Sequence, residues 1–317
     1  MDPALMARQI HDNMFGRYET DGLWLNTADQ FEGLRVSDRS FTSDKGQKLA
    51  GYVYSRDGAE PAGVVVFAPG LGPGGHCAYL AVINALAAQG YIVFAYDPTG
   101  MDRSEGENSV GLYQGVLDLS AAVAYVENDA ELKQYPVFLF GHSWGAFCVS
   151  TVLNAHPEVR AVVAVSGFNE PTGWFAYVLG AQGQSIVPCI AGIEKELFGD
   201  VTEWSAISGF QNTDASVMIV QSRDDRNVSV STGYDLFREA FGDDSRFTWK
   251  LYENRGHLFI FYTDAARAYD LQYIDELEGH MTEYGQTHTF DRKTGWEIDR
   301  ELFDEIGDFY RTAVQNK

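Results

Sequence analysis

From Lys48 onward the apolar residues fall into short unbroken runs, separated by longer stretches with helical spacing. Leu49 to Ser55 predicts a strand, and Gly63 to Ala68 (GVVVFA) and Tyr91 to Tyr96 (YIVFAY) predict buried ones. A strand that is apolar at nearly every position has no face to give to water, so these lie inside a sheet covered on both sides. Between them, Tyr79 to Gln89 reads as a helix closed by Gly90, a residue that takes the left-handed cap conformation at little cost.

The alternation continues with a helix over roughly Leu112 to Glu127, a strand at Val137 to Phe140, a helix after Gly145 and a strand at Ala161 to Val165. It resumes with a strand at Val217 to Gln221, a helix near Thr232 to Phe241, a strand at Phe247 to Tyr252 and a closing helix at about Asp299 to Thr312. Strands alternating with helices at this spacing predict a mostly parallel sheet with helices on both faces. Residues 168–213 break the rhythm: they hold Trp174, Phe175, Tyr177, Phe198, Trp204 and Phe210 and no obvious strand, which predicts an inserted segment. The first 30 or so residues read as partly helical, with Leu5, Ile10 and Met14 along one face, and carry no sign of a role.

Chemistry enters at Gly141-His142-Ser143-Trp144-Gly145, which follows a buried strand and opens a helix. In that setting the GxSxG pattern predicts a sharp strand-to-helix turn that lifts a serine hydroxyl clear of the sheet, with glycines on either side letting strand and helix pass closely. A serine hydroxyl is a weak nucleophile until a base takes its proton, and the base needs a carboxylate to hold its tautomer. The expected chain order is serine, acid, histidine. After the strand at Val217 come Asp224 and Asp225, and after the strand ending at Tyr252 comes Gly256-His257, so both loops place the needed groups at the C-terminal edge of the sheet. Of the two carboxylates Asp225 is preferred, Asp224 reading as a solvated or capping group. His142 is set aside, because side-chain alternation points it away from its neighbour Ser143.

Acyl transfer also needs N–H donors for the developing oxyanion. Trp144, following the serine at the positive end of its helix, is one candidate, and Leu71 in the loop Pro69-Gly70-Leu71-Gly72-Pro73-Gly74-Gly75 is the other. That loop has a rival reading. Gly70, Gly72 and Gly75 spell GxGxxG, and Asp97 ends the next strand where a dinucleotide fingerprint wants an acid. Against it, Pro73 removes an N–H, and a nucleotide site leaves the GHSWG and Gly256-His257 segments unexplained.

Composition narrows the partners. The 317 residues suit a single α/β domain, and 23 basic against 45 acidic residues give a net charge of −22. Such a charge repels a phosphate backbone or an anionic bilayer, so nucleic acid is not expected as a partner. Three scattered cysteines, Cys77, Cys148 and Cys189, form no disulfide framework and no CxxC pair, which fits a reducing compartment. With no basic-then-apolar leader and no run approaching the ~20 apolar residues of a membrane span, a cytoplasmic location is expected.

On these residues the chain resembles the α/β-hydrolase superfamily, and within it the serine-aminopeptidase and monoacylglycerol-lipase-like hydrolases. The carriers are Ala68 to Gly72, Tyr96 to Gly106, the GHSWG turn, Arg223 to Val228, and Gly256-His257. The resemblance implies a Ser143, Asp225, His257 triad, a cap formed by residues 168–213, and no metal or organic cofactor. Pro69 departs from the histidine many relatives carry there, and Asp97-Pro98-Thr99-Gly100 from the usual Asp-x-Arg-Gly, so no particular substrate transfers. Residues 259–298 exceed what relatives need and predict an extra element before the last helix. The expected activity is hydrolysis of a carboxylic ester or related acyl bond, with Trp174, Phe175 and Phe259 facing an apolar or aromatic small-molecule substrate. Peptidase or thioesterase chemistry would use the same triad, and a non-catalytic binding protein or a dinucleotide-dependent oxidoreductase are the alternatives outside it.

Overall fold

The computed structural model describes residues 2–20, 22–58, 60–275 and 281–315. An eight-stranded sheet runs through it in the order β1-β2-β4-β3-β5-β6-β7-β8. The strands are β1 (Leu34–Thr42), β2 (Lys48–Arg56), β3 (Val64–Ala68), β4 (Ile92–Tyr96), β5 (Val137–His142), β6 (Ala161–Val165), β7 (Ser216–Ser222) and β8 (Phe247–Tyr252). From β4 to β8 all neighbours are parallel, while β2 is antiparallel to both β1 and β4.

The helices in chain order are α1 (Pro3–Met14), α2 (Leu80–Ala88), α3 (Leu112–Asn128), α4 (Trp144–Thr151), α5 (Pro171–Gly183), α6 (Val187–Phe198), α7 (Ala206–Gln211), α8 (Tyr234–Phe241), α9 (Asp264–Tyr273), α10 (Glu283–Thr287), α11 (Arg292–Gly295) and α12 (Arg300–Gln315). Strand alternation divides the interior into two cores. On β3, Val64, Val66 and Ala68 face one core with residues of α3, α4 and α8, whereas Val65 and Phe67 face the other with residues of α2 and α12. Both sides of the central strands are dry, which is why their sequences show runs rather than alternation.

Two elements differ from the sequence expectation. β1 carries mostly exposed residues between Leu34 and Phe41, so an edge strand with a wet face leaves no apolar run to read. In α1 the apolar face is the expected one only in part: Ile10 and Met14 pack against the core, Leu5 points to solvent, and the fully buried residues are Ala7 and His11. Within residues 168–213, α5 and α6 project from the sheet, while α7 packs back on α4 so closely that a side chain on Gly209 would overlap the Ser150 carbonyl.

Candidate active site

β5 ends at His142 and α4 begins at Trp144, so Ser143 alone turns the chain, with φ 57° and ψ −120°. A non-glycine residue held there costs about 1–3 kcal/mol, which the surrounding packing must offset. The flanking glycines show why the turn fits: a side chain on Gly141 would overlap the Gly145 carbonyl, and one on Gly145 the Ala68 carbonyl of β3. The Ser143 N–H donates to Val165 O on β6 at 2.9 Å, fixing the turn to the sheet.

The loops after β7 and β8 bring Asp225 and His257 to this hydroxyl. His257 Nε2 lies 2.9 Å from Ser143 Oγ, and its Nδ1 lies 2.8 Å from Asp225 Oδ2. Asp225 Oδ1 accepts from the N–H groups of Asn227 at 2.9 Å and Val228 at 2.8 Å. Burial pushes the Asp225 carboxyl up, but the hydrogen bond and charge of His257 and these two N–H donors together hold it below the ordinary value. Asp224 Oδ1 accepts from Ser222 Oγ at 2.6 Å and from Gly256 N–H at 2.8 Å, so it ties the histidine loop down, with Gly256 itself in the left-handed region at φ 61°.

The N–H groups of Leu71 and Trp144 border the same cavity as Ser143, and among the described residues neither meets an acceptor. The neighbouring Gly70 N–H is spoken for, donating to Tyr79 Oη at 3.2 Å. That hydroxyl stands 2.8 Å from His142 Nδ1, and His142 Nε2 stands 3.0 Å from the His257 carbonyl. A carbonyl only accepts, so His142 carries its proton on Nε2 and takes the Tyr79 proton on Nδ1. Burial and the neighbouring His257 lower its pKa to about 3, which keeps it neutral. His142 does turn from the serine, as alternation requires, but it turns beneath His257, with ring centroids 4.7 Å apart. Sequence reasoning set it aside because strand alternation says where a side chain leaves the sheet and nothing about what waits there.

Over Ser143 opens a cavity of about 780 Å³. Trp174, Tyr177 and Val178 of α5 line it, together with Phe168 and Phe259. Phe175 does not: it is 1% exposed and packs in the main core. Positions 174, 177 and 178 share one helix face, and 175 falls on another. Sequence reasoning also missed the N-terminal wall, Met14, Tyr18 and Trp24. The Arg17 guanidinium donates to the carbonyls of Asp102, Ser104 and Gly106, and His11 Nε2 meets Glu194 of α6 at 3.0 Å, so tertiary contacts hold this segment in place. No apolar period announces such anchoring.

The residues of the nucleotide reading are otherwise engaged. Asp97 Oδ1 lies 2.5 Å from His76 Nδ1, its Oδ2 accepts from Tyr52 Oη at 2.7 Å, and His76 stacks on Tyr52 with centroids 4.0 Å apart. Burial lowers the His76 pKa, but the Asp97 charge and hydrogen bond outweigh it and raise it to about 10. Both carboxylate oxygens of Asp97 are thus engaged within the fold, where a nucleotide site would want them for a ribose.

Comparison with known proteins follows the same line. The family described as serine aminopeptidase, S33, matches over residues 59–209. An esterase of Pyrococcus furiosus is similar in structure with a TM-score of 0.62 at 16% identity, covering 94% of this chain and 98% of its own. The acylaminoacyl peptidase of Pyrococcus horikoshii gives 0.54 at 14% identity, covering 72% of this chain and 38% of its own. The esterase domain of a Rhodothermus marinus protein gives 0.52 at 19%, covering 71% and 90%. No protein with a curated description matches the sequence. The likeness to these solved structures shows that the chain has the α/β-hydrolase fold. In that fold it has a mostly parallel sheet, with the GHSWG turn at the C-terminal end of β5. The family match takes in the GHSWG turn and ends before Asp225 and His257. Among the described residues no helix is long and apolar enough to cross a membrane.

Proposed function

We propose that this protein is a serine hydrolase that cleaves a carboxylic ester or related acyl bond through an acyl-enzyme on Ser143. The observation that carries the reading is the continuous hydrogen-bonded chain from Ser143 Oγ through His257 to Asp225 at the floor of an aromatic cavity. Ser143 Oγ attacks the carbonyl carbon while its proton passes to His257 Nε2, and the carbonyl oxygen becomes an oxyanion facing the Leu71 and Trp144 N–H groups. Collapse breaks the bond to the alcohol, which leaves with the proton from His257. A water then attacks the acyl-enzyme, giving its proton to His257, and the acid departs as Ser143 is reprotonated. Asp225 holds the imidazole in the Nδ1–H tautomer and steadies the imidazolium that forms.

The aromatic walls favour an apolar or aromatic acyl or alcohol group, with residues 168–213 serving as the cap through α5 and α6. A peptidase is the second reading, favoured by the S33 description of the matching family. A fluorophosphonate probe is expected to label Ser143 and to leave Ser143→Ala unlabelled. A panel of p-nitrophenyl esters, thioesters and amino-acid arylamides then separates the substrate classes. Absence of labelling in folded wild-type protein would refute the mechanism, and turnover of arylamides well above esters would favour the peptidase.

A further inference from the structure

The cavity over Ser143 has a polar feature that hydrolysis of a plain acyl group does not use. Asp270 on α9 lines it and is 2% exposed. Its Oδ1 is enclosed without a hydrogen-bond partner, and among the described residues no side-chain hydrogen bond or ion pair engages the carboxyl. Arg255 pairs with Asp264 and Asp299, and Arg267, whose Nε has no partner of its own, lies 3.7 Å from Asp224 and makes no ion pair with Asp270. Gly295 leaves just enough room, since a side chain there would press on both Oδ1 and the Phe290 ring.

A carboxyl enclosed in aromatic surroundings without a partner is a liability, because water stabilised it in the unfolded chain and nothing replaces that water here. Burial alone raises its pKa to about 8. Asp270 shares α9 with buried Ala266 and Tyr273, so an apolar side chain would suit the helix at least as well. A group kept at a cost to stability, at the wall of a binding cavity, fits a ligand contact better than a scaffold role.

We propose that Asp270 is a specificity-determining residue that receives a hydrogen-bond donor of the substrate, an amine or a hydroxyl, at a point remote from the scissile carbonyl. The stem of the substrate fills the aromatic cavity, and its donor end meets the carboxyl at Oδ2, the oxygen not sealed against Gly295 and Phe290. The inference rests on reading this cavity as the substrate site, and it extends that reading from an apolar substrate to an apolar one with a polar end.

The test uses binding, so that it does not depend on turnover. Titration calorimetry on Ser143→Ala protein compares methyl hexanoate, methyl 6-hydroxyhexanoate and methyl 6-aminohexanoate. One or both donor-bearing esters are expected to bind about tenfold or more tightly than the plain one, the size of a hydrogen bond to a buried acid. In the Ser143→Ala, Asp270→Leu double variant that preference is lost. In Ser143→Ala, Asp270→Asn, whose amide keeps the shape and an acceptor, the hydroxyl preference is retained and the ammonium preference falls. Amine above hydroxyl, or the reverse, identifies the class of donor. Equal affinity for all three esters, or a preference that survives Asp270→Leu, overturns the proposal. If the preference holds while wild-type protein neither hydrolyses p-nitrophenyl acetate nor takes the fluorophosphonate label, the catalytic reading fails and the binding one stands.

Discussion

Replacing Tyr79 by phenylalanine removes one oxygen and keeps the ring. That oxygen accepts from Gly70 N–H at 3.2 Å and faces His142 Nδ1 at 2.8 Å, so its loss leaves two groups unpaired at a buried position. An unsatisfied buried group costs about 1–3 kcal/mol. Gly70 borders the cavity, where water can reach its N–H, so the total falls at about 2–4 kcal/mol. For a domain of this size that lowers the melting temperature by about 3–6 °C, measurable by calorimetry. Activity suffers separately, because Gly70 precedes Leu71, whose N–H we propose as an oxyanion donor. Losing one such donor outright costs roughly 10²–10³ in kcat, and a donor left in place on a loosened loop about tenfold. Steady-state kinetics on a p-nitrophenyl ester should therefore show the fall in kcat with KM changed little. A Tyr79→Phe protein with unchanged melting temperature and unchanged kcat would refute the idea that this hydroxyl links the oxyanion loop to the histidine loop.

Three further outcomes follow from the geometry. Asp225→Asn leaves the shape of the site but misorients the imidazole, so kcat is expected to fall by roughly 10³–10⁴, and a loss under tenfold would show that the carboxylate is not needed. Gly145→Ala drives a side chain into the Ala68 carbonyl and should cost about 3 kcal/mol or more in urea unfolding, whereas a fully stable variant would mean the turn yields more easily than its packing implies. His76 has a folded pKa of about 10 against an ordinary 6.5, so the folded state holds a proton that the unfolded one has released between those values. Its contribution is complete below pH 6.5 and is lost as pH rises toward 10, at up to about 1.4 kcal/mol per pH unit. Urea unfolding between pH 7 and 9.5 should show that slope reduced in Asp97→Asn, and equal slopes in the two proteins would exclude the ion pair.

The sequence by itself carried the central sheet and the three residues now found together. Strands buried on both faces must be written as apolar runs, so β3, β4, β5 and β6 were visible. The GHSWG turn was visible because close passage of strand and helix admits only glycine at its edges. Asp225 and His257 were reachable because each follows a strand of the parallel sheet within a few residues, and parallel strands deliver their following loops to one edge. Those are local rules, and a linear pattern can hold them.

What tertiary structure decided lies where contacts join distant segments. Edge strand β1 is defined by its partner β2 rather than by its own residues. Met14 and Tyr18 reach the cavity because Arg17 grips the carbonyls of residues 102–106, and Phe175 misses it because the docking of α5 turns the face beside it toward the cavity. His142, Tyr79 and Asp270 draw their character from what surrounds them: a carbonyl 115 residues away in the chain, a loop N–H, and the lack of any partner. Burial and hydrogen bonding belong to the packed environment, which sequence position alone does not encode.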